Sequence, residues 1–333
     1  MILAGDIGGT NTRLALFHRP DSKPKPAVIP VVAALVIDVF PSAGHSGPTE
    51  IVGKFLAKHD RPEIEAACFG IAGPVRNGVT ETPNLPWRVS AAEMAADLGL
   101  KSVLLINDLE VNAHGIAVLE PQDFEVLNAG APDASGNRAL ISAGTGLGEA
   151  GLFADGETYR PFPSEGGHAD FAPRDKTEIA LLEYLLTRFD HVSVERVLSG
   201  PGLYNLYQFF RDTGRCEEPA WLAEEIHQGD PSAIISRHAT ARTADICVEA
   251  MDRFVAIYGA EAGNLALKAM ATGGVFLGGG IAPKILPKLK QPAFMQAFTA
   301  KGRVAKLLEA IPIRVILNDR TALLGAGLLA MRT

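Results

Sequence analysis

Cysteine is scarce in this 333-residue chain: Cys68, Cys216 and Cys247 stand far apart, with no C-x-x-C pair among them. That pattern excludes a disulfide framework and a thiolate metal site, and it points to a reducing compartment. Cys68 lies in an apolar, strand-like run and is expected to be a small core residue. No run of about 18 apolar residues occurs, so no membrane span is expected. Lysine and arginine form no basic stripe, and the formal net charge is −7, so nucleic acid is not expected as a partner. Met1-Ile2-Leu3-Ala4 meets Gly5-Asp6 at once, which leaves no apolar core for a signal peptide. A cytoplasmic protein is the expectation. Present in quantity are hydrophobic residues, 47% against 21% charged, in a chain long enough for two domains with cores of their own.

Strands and helices alternate along the chain, which predicts an α/β protein. Residues 1–6 form an apolar run ending in Asp6, Gly8-Gly9 supplies a bend, and 12–17 continues as a second strand, predicting a hairpin. The proline-rich stretch 18–30 is expected to be irregular. A helix is expected over 51–58, and a buried strand over 66–71 stopped by Gly73-Pro74. The stretch 90–98 carries a capping box, with Ser90 as cap and Glu93 three residues on. The strand at 103–106 then presents Asn107-Asp108 at its carboxyl end. A second strand–glycine–strand unit runs from 139 through Ala143-Gly144-Thr145-Gly146-Leu147-Gly148 to 153. The repetition suggests two related half-structures. Over 177–189, Ile179, Leu182, Leu186 and Phe189 recur at helical spacing and predict an amphipathic helix. The stretch 232–270 is helix-rich, 315–317 reads as a last strand, and 321–331 as a closing helix.

Three glycine-rich bends follow strands, at 5–10, 143–148 and 273–280. Glycine leaves backbone N–H groups open to a phosphate, and Thr10 and Thr145 add hydroxyl donors. Asp6 adds an oxygen where a nucleotide-bound Mg²⁺ or its water shell would want one. Gly146-Leu147-Gly148-Glu149-Ala150-Gly151 fits G-x-G-x-x-G, but a dinucleotide site needs those glycines to open a helix, and here strand and turn follow. A G-x-x-x-x-G-K-[ST] loop is missing, so this is no P-loop kinase.

Residues 6–16, Asp-Ile-Gly-Gly-Thr-Asn-Thr-Arg-Leu-Ala-Leu, resemble the first phosphate motif of the sugar kinase, heat-shock chaperone and actin superfamily. Residues 143–148 resemble its second phosphate motif, and 273–280 its adenosine motif. The run 163–173, Pro-Ser-Glu-Gly-Gly-His-Ala-Asp-Phe-Ala-Pro, is more specific. Together with 192–202, Val-Ser-Val-Glu-Arg-Val-Leu-Ser-Gly-Pro-Gly, it is similar to bacterial glucokinases of the non-ROK type, and the likeness extends over essentially the whole chain. ROK sugar kinases carry a cysteine-rich zinc motif that these three cysteines cannot supply.

The resemblance implies ATP and Mg²⁺ as cofactors, with Gly5, Asp6, Ile7, Gly8, Gly9 and Thr10 of the first motif, Gly144, Thr145 and Gly146 of the second, and Gly278 and Gly279 of the third holding the nucleotide. It implies Asp6 as the Mg²⁺ residue, through water. Asp108 matches the catalytic base, although alone it would equally serve as the N-cap of a helix starting near Glu110. Asn84, Asn107, Glu165, His168 and Glu195, with Asp108, match the residues that bind glucose; the usual Thr-Asn pair reads Pro83-Asn84 here. Glu165, His168 and Asp170 could in principle ligate a metal instead.

The resemblance also implies a two-domain actin-like ATPase (ribonuclease H-like) fold with an active-site cleft between domains. Residues 1–108 plus 318–333 would form the small α/β domain and 109–317 the large one. The implied activity is phosphorylation of the 6-hydroxyl of glucose by ATP at the start of glycolysis, by a cytoplasmic homodimer that closes on its sugar. A kinase for another hexose and a sugar-sensing regulator without catalysis are the alternatives. A regulator would usually carry a helix-turn-helix extension, and a chaperone or filament ATPase has no use for the 165–168 run.

Overall fold

The computed structural model describes residues 1–19, 33–82 and 85–333. The irregular stretch expected at 18–30 and the candidate Asn84 therefore fall largely or wholly outside the described residues. Strands run β1 Ile2–Ile7, β2 Asn11–Phe17, β3 Ala34–Pro41, β4 Ala66–Ile71, β5 Val79–Glu81, β6 Arg88–Ser90, β7 Leu104–Asn107, β8 Phe124–Asn128, β9 Arg138–Ala143, β10 Leu147–Asp155, β11 Thr158–Ser164, β12 Gly274–Gly278 and β13 Ile313–Ile316. Among the described residues they make a five-stranded sheet, β3-β2-β1-β4-β7, a six-stranded sheet, β11-β10-β9-β12-β13-β8, and the ribbon β5-β6. The first five places correspond in order: each glycine-bend strand pair is flanked by an outer strand on one side and by two further strands on the other. The duplication suggested by two strand–glycine–strand units is thus visible in the topology.

The chain divides into two compact units. One comprises Met1–Asp123, Leu152–Pro163 and Asn318–Thr333, and the other Phe124–Gly151 and Ser164–Leu317. Within the first unit, β1 pairs antiparallel with β2 and parallel with β4, and β4 pairs parallel with β7. Side chains alternate across a strand. Leu3 and Ile7 accordingly join a core with Phe55 and Trp87 on one face. Ile2 and Ala4 join Cys68, Val111, Leu323 and Ala326 on the other. Cys68 is fully buried, as expected.

The unit limit after Asp123, beside an expected boundary after residue 108, has a local cause. The helix Asp108–Gly115 packs backbone to backbone on the closing helix Thr321–Arg332. A Cβ on Gly115 would overlap the Thr321 carbonyl and fall 2.8 Å from its carbon, and one on Gly325 would overlap the Val111 carbonyl. We expect Gly115→Ala to cost about 3 kcal/mol of stability, because backbone cannot yield as a flexible side chain can. A thermal midpoint equal to that of the parent protein would contradict this contact.

The second unit is built around the long helix Asp245–Ala269, whose Met251, Phe254 and Tyr258 are fully buried beside Ala139 and Ile141 of β9. Here β12 pairs in parallel with both β9 and β13, and β13 pairs antiparallel with β8. One expected helix face needs correction. The helix spans Lys176–Leu186 and buries Glu178, Leu181 and Leu185, whereas Ile179 is 48% and Leu186 53% exposed. A buried carboxylate takes the place of an apolar residue, held by Arg174 and by Arg253 at 3.0 Å. The 146–151 glycines lead into β10 and not into a helix, so the dinucleotide reading fails in the structure as well. Among the described residues, no helix is long and apolar enough to cross a membrane.

Candidate functional site

In the first unit, the bend between β1 and β2 is fixed by its own backbone and by a serine from β3's far end. Gly8 N–H donates to Asn11 O at 3.0 Å, and Ser42 N–H donates to Thr10 O at 2.9 Å. The Ser42 hydroxyl donates to Gly8 O at 2.7 Å and lies 3.0 Å from the Thr12 hydroxyl, with both side chains fully buried. This bracing leaves Thr10 exposed at the tip, with Gly8 and Gly9 half-buried. Gly5 lies inside β1, where a Cβ would meet the Phe69 ring, and the Ile7 side chain is 1% exposed. Of the motif, Gly9 and Thr10, whose N–H groups are not used in that bracing, are therefore the part that can offer donors to an anion.

Asp6 and Arg13 are cross-strand partners, with Arg13 Nη1 3.4 Å from Asp6 Oδ2 and its other nitrogen 3.8 Å from Asp319. Burial raises the Asp6 carboxyl above the usual carboxylate range, and the Arg13 charge and hydrogen bond oppose that shift. A nearby cation would favour the ionised form. Among the described residues no group of three or more His, Cys, Asp or Glu could hold a metal by itself. This donor set fits an ion that arrives on a nucleotide's phosphates and keeps most of its water, the usual habit of Mg²⁺.

At the end of β7, Asn107 takes the helix cap. Its Oδ1 accepts from Leu109 N–H at 2.9 Å and Glu110 N–H at 3.3 Å, and its Nδ2 donates to Gly73 O at 3.2 Å. The cap position of the alternative reading is thus filled by Asn107, and Asp108 is the first helical residue. Asp108 Oδ1 accepts from Leu109 N–H at 2.9 Å, and its side chain is half-buried. Asn107 keeps a second N–H for a ligand.

In the second unit, the other two bends are neighbours. β9 and β12 run in parallel, and Gly278 is registered with Ser142, so both strands deliver their glycines at their carboxyl ends, where open α/β sheets place ligands. Gly279 has φ 79°, and a Cβ there would run into the Ala143 carbonyl. At Gly144 a Cβ would meet nothing within 4 Å, so there is open space beside the bend, and Thr145 is exposed. The bend is tied by Gly144 N–H to Gly146 O at 2.9 Å, and Gly200 N–H donates to Gly144 O at 2.8 Å.

Leu147 joins this bend to the carboxylates. Its N–H donates to Glu195 Oε2 at 2.8 Å. Gly167 packs so closely on Leu147 that a Cβ would overlap its carbonyl. The turn 165–168 is closed by His168 N–H to Glu165 O at 3.0 Å. It presents Glu165 and His168 with their side chains 3.9 Å apart and about 60% exposed. Val194 N–H donates to Ala169 O at 2.9 Å, which links this turn to the Glu195 segment. Glu165, His168, Glu195 and the bend Gly144-Thr145-Gly146 are therefore brought together on one unit. Asp170 instead pairs with His191 at 2.8 Å and is 92% exposed.

Sequence reasoning missed Ser42, Ser199 and Glu149. Ser199 could have been found, because a serine before Gly-Pro is a helix-start signal. It caps the helix Gly200–Asp212 through Gly202 N–H and donates to Glu195 O at 2.8 Å, steadying the backbone that carries the carboxylate. Ser42 has no local signal.

A family model described as Glucokinase matches residues 3–333. The chain is 41% identical to a glucokinase of Nostoc punctiforme over 345 aligned residues, covering 100% of this chain and 99% of the relative. Among solved structures, a glucokinase from an Antarctic psychrotroph aligns with TM-score 0.82 and 29% identity, covering 100% of this chain and 99% of that one. A ROK family glucokinase from Streptomyces griseus, in complex with glucose and AMPPNP, aligns with TM-score 0.66 and 19% identity over 100% of this chain and 99% of that one, and shows the shared fold.

Proposed function

The chain belongs to the glucokinase family, an ATP-dependent hexose kinase with the two-domain actin-like sugar kinase fold, and from that premise we propose how its residues divide the work. Bends 8–10 and 144–146 hold the phosphates of ATP through the N–H groups not tied within the bends, those of Gly9, Thr10, Thr145 and Gly146, and through the Thr10 and Thr145 hydroxyls. Gly278 and Gly279 make room for the adenosine. Glu165, His168, Glu195, Asn107 and, from outside the described residues, Asn84 bind glucose. The base comes from the first compact unit, and the three-residue acidic and imidazole set from the second. The observation that carries the reading is the Leu147 junction, which ties Glu195 and turn 165–168 to a phosphate bend through one backbone N–H and one glycine contact.

In the reaction, Asp108 accepts the proton of the sugar 6-hydroxyl as the new O–P bond forms and the bond from the γ-phosphorus to ADP breaks. Its place at the first turn of a helix aims the carboxylate, with one oxygen held by Leu109 N–H. Mg²⁺, when bound with ATP, neutralises phosphate charge, and Asp6 would orient its water shell. A polyol bound by several charged acceptors selects stereochemistry, because each wrong isomer leaves a buried partner unpaired. The same reading takes the protein to be a cytoplasmic homodimer acting at the first step of glycolysis, free of nucleic acid and membrane; light scattering of the purified protein checks the dimer.

The test is ADP release with Mg·ATP over a panel of hexoses. Glucose is expected to give the highest kcat/KM, and a preference for mannose or an amino sugar would move the assignment to that substrate. Ser42→Ala addresses the phosphate bend separately. Losing the bond to Gly8 O is worth about 1 kcal/mol, so the KM for ATP is expected to rise roughly fivefold with the KM for glucose unchanged. Equal effects on both would remove Ser42 from the nucleotide side.

A further inference from the structure

Glu149 points from β10 into the second unit's interior and is 1% exposed, and Glu261 of the helix Asp245–Ala269 meets it there at 6% exposure. The Glu261 carboxyl is near enough for its charge to act on Glu149. Each retains one oxygen with no hydrogen-bond partner, on Glu149 Oε1 and Glu261 Oε1. Asn264 donates to Glu261 Oε2 at 2.8 Å, and Lys301 in turn donates to Asn264 and to Ala260 O. Lys268 lies 3.8 Å from Glu261.

This buried pair lies directly beneath the sugar-binding turn. A Cβ on Gly166 would overlap Glu149 Oε2 and fall 2.8 Å from its Cδ, so the turn's backbone rests on the Glu149 carboxyl with no room between them. Gly166 is flanked by Glu165, and Gly167 rests on Leu147, two residues before Glu149 in the same strand. Any swelling of the pair must push on that backbone.

We propose that Glu149 is a positioning residue for the sugar site: its buried carboxyl supports turn 165–168 through Gly166, and repulsion between it and Glu261 when both are charged shifts that turn and hence glucose affinity. This rests on the reading of Glu165 and His168 as sugar ligands. Burial, and then the neighbouring Glu261 charge, push Glu149 up to about 7, with Lys268 opposing. Glu149 therefore carries a proton at mildly acidic pH and loses it above neutrality, which leaves a buried charge beside Glu261. Its charged neighbours are Glu261 and Lys268 on the long helix, Lys301 stands near Glu261, and the turn meets it through Gly166. The stability contribution has the same direction. A carboxyl raised by folding stabilises fully below its unfolded value and loses that contribution as pH rises through about 7.

The test is calorimetric glucose binding to the whole protein between about pH 6 and pH 9, comparing the parent with Glu149→Gln. Glutamine keeps the shape and cannot ionise, so the parent is expected to weaken at least about threefold more than the variant over that range. Any contribution from the His168 imidazole persists in both proteins and cancels in the ratio. Glu261→Gln removes the same repulsion and is expected to give the same flattening, which covers the case in which one variant does not fold. A constant affinity ratio between parent and variant across the range overturns the proposal. Glu165→Gln, measured alongside, is expected to weaken glucose at every pH; if it does not, the ligand reading of the turn fails, a result distinct from a constant Glu149 ratio.

Discussion

Asp108→Asn is expected to lower kcat roughly 10²–10⁴-fold while glucose affinity stays within a few-fold. The structure makes this substitution unusually clean. Asparagine retains an Oδ1 that accepts from Leu109 N–H, and the helix cap belongs to Asn107, so the start of the helix Asp108–Gly115 is preserved. What disappears is the ability to accept a proton from the sugar hydroxyl. Single-turnover phosphate transfer and calorimetric glucose binding separate the two effects. Turnover near the parent's would remove Asp108 from the base role, and a lost thermal midpoint would place it among structural residues instead.

Glu195→Ala is expected to lower kcat/KM for glucose roughly 10–100-fold, since one hydrogen bond to a charged group is worth about 1.5–3 kcal/mol. Two things go at once: the sugar loses an acceptor, and Leu147 N–H loses its partner beside the phosphate bend. Glu195→Gln keeps an oxygen for Leu147 and should recover part of the loss. Equal damage from both variants would mean that charge, not the Leu147 contact, is what the site needs. Steady-state kinetics with glucose and ATP varied in turn distinguishes the sugar effect from one on the nucleotide.

Much of the candidate site could be proposed from the sequence because its parts are local. A glycine bend after a strand announces itself within six residues, and the Glu165-to-His168 turn is contiguous. The repeated strand–glycine–strand unit pointed to two related half-structures, and the strand orders around both bends correspond, although the orders themselves were not legible. What escaped was long-range. Ser42 braces Gly8 and Thr12 from a strand whose start is separated from theirs by residues outside the described set, and nothing near it marks the role. The packing of Gly115 and Gly325 joins segments from opposite ends of the chain, which is why the first compact unit extends past Asp108. Glu178 misled the helix reading for an electrostatic reason. A charged residue normally marks a solvent face, and here two arginines carry it into the core. Glu149 was hidden in the same way, inside a glycine motif that drew attention to the glycines.

The most direct measurement is phosphorus NMR of the product formed from glucose and Mg·ATP. The account predicts a single sugar ester, with phosphate on the 6-hydroxyl, formed in step with ADP and in trace amounts with Asp108→Asn. An ester at another position, or ADP release without any sugar ester, would contradict it.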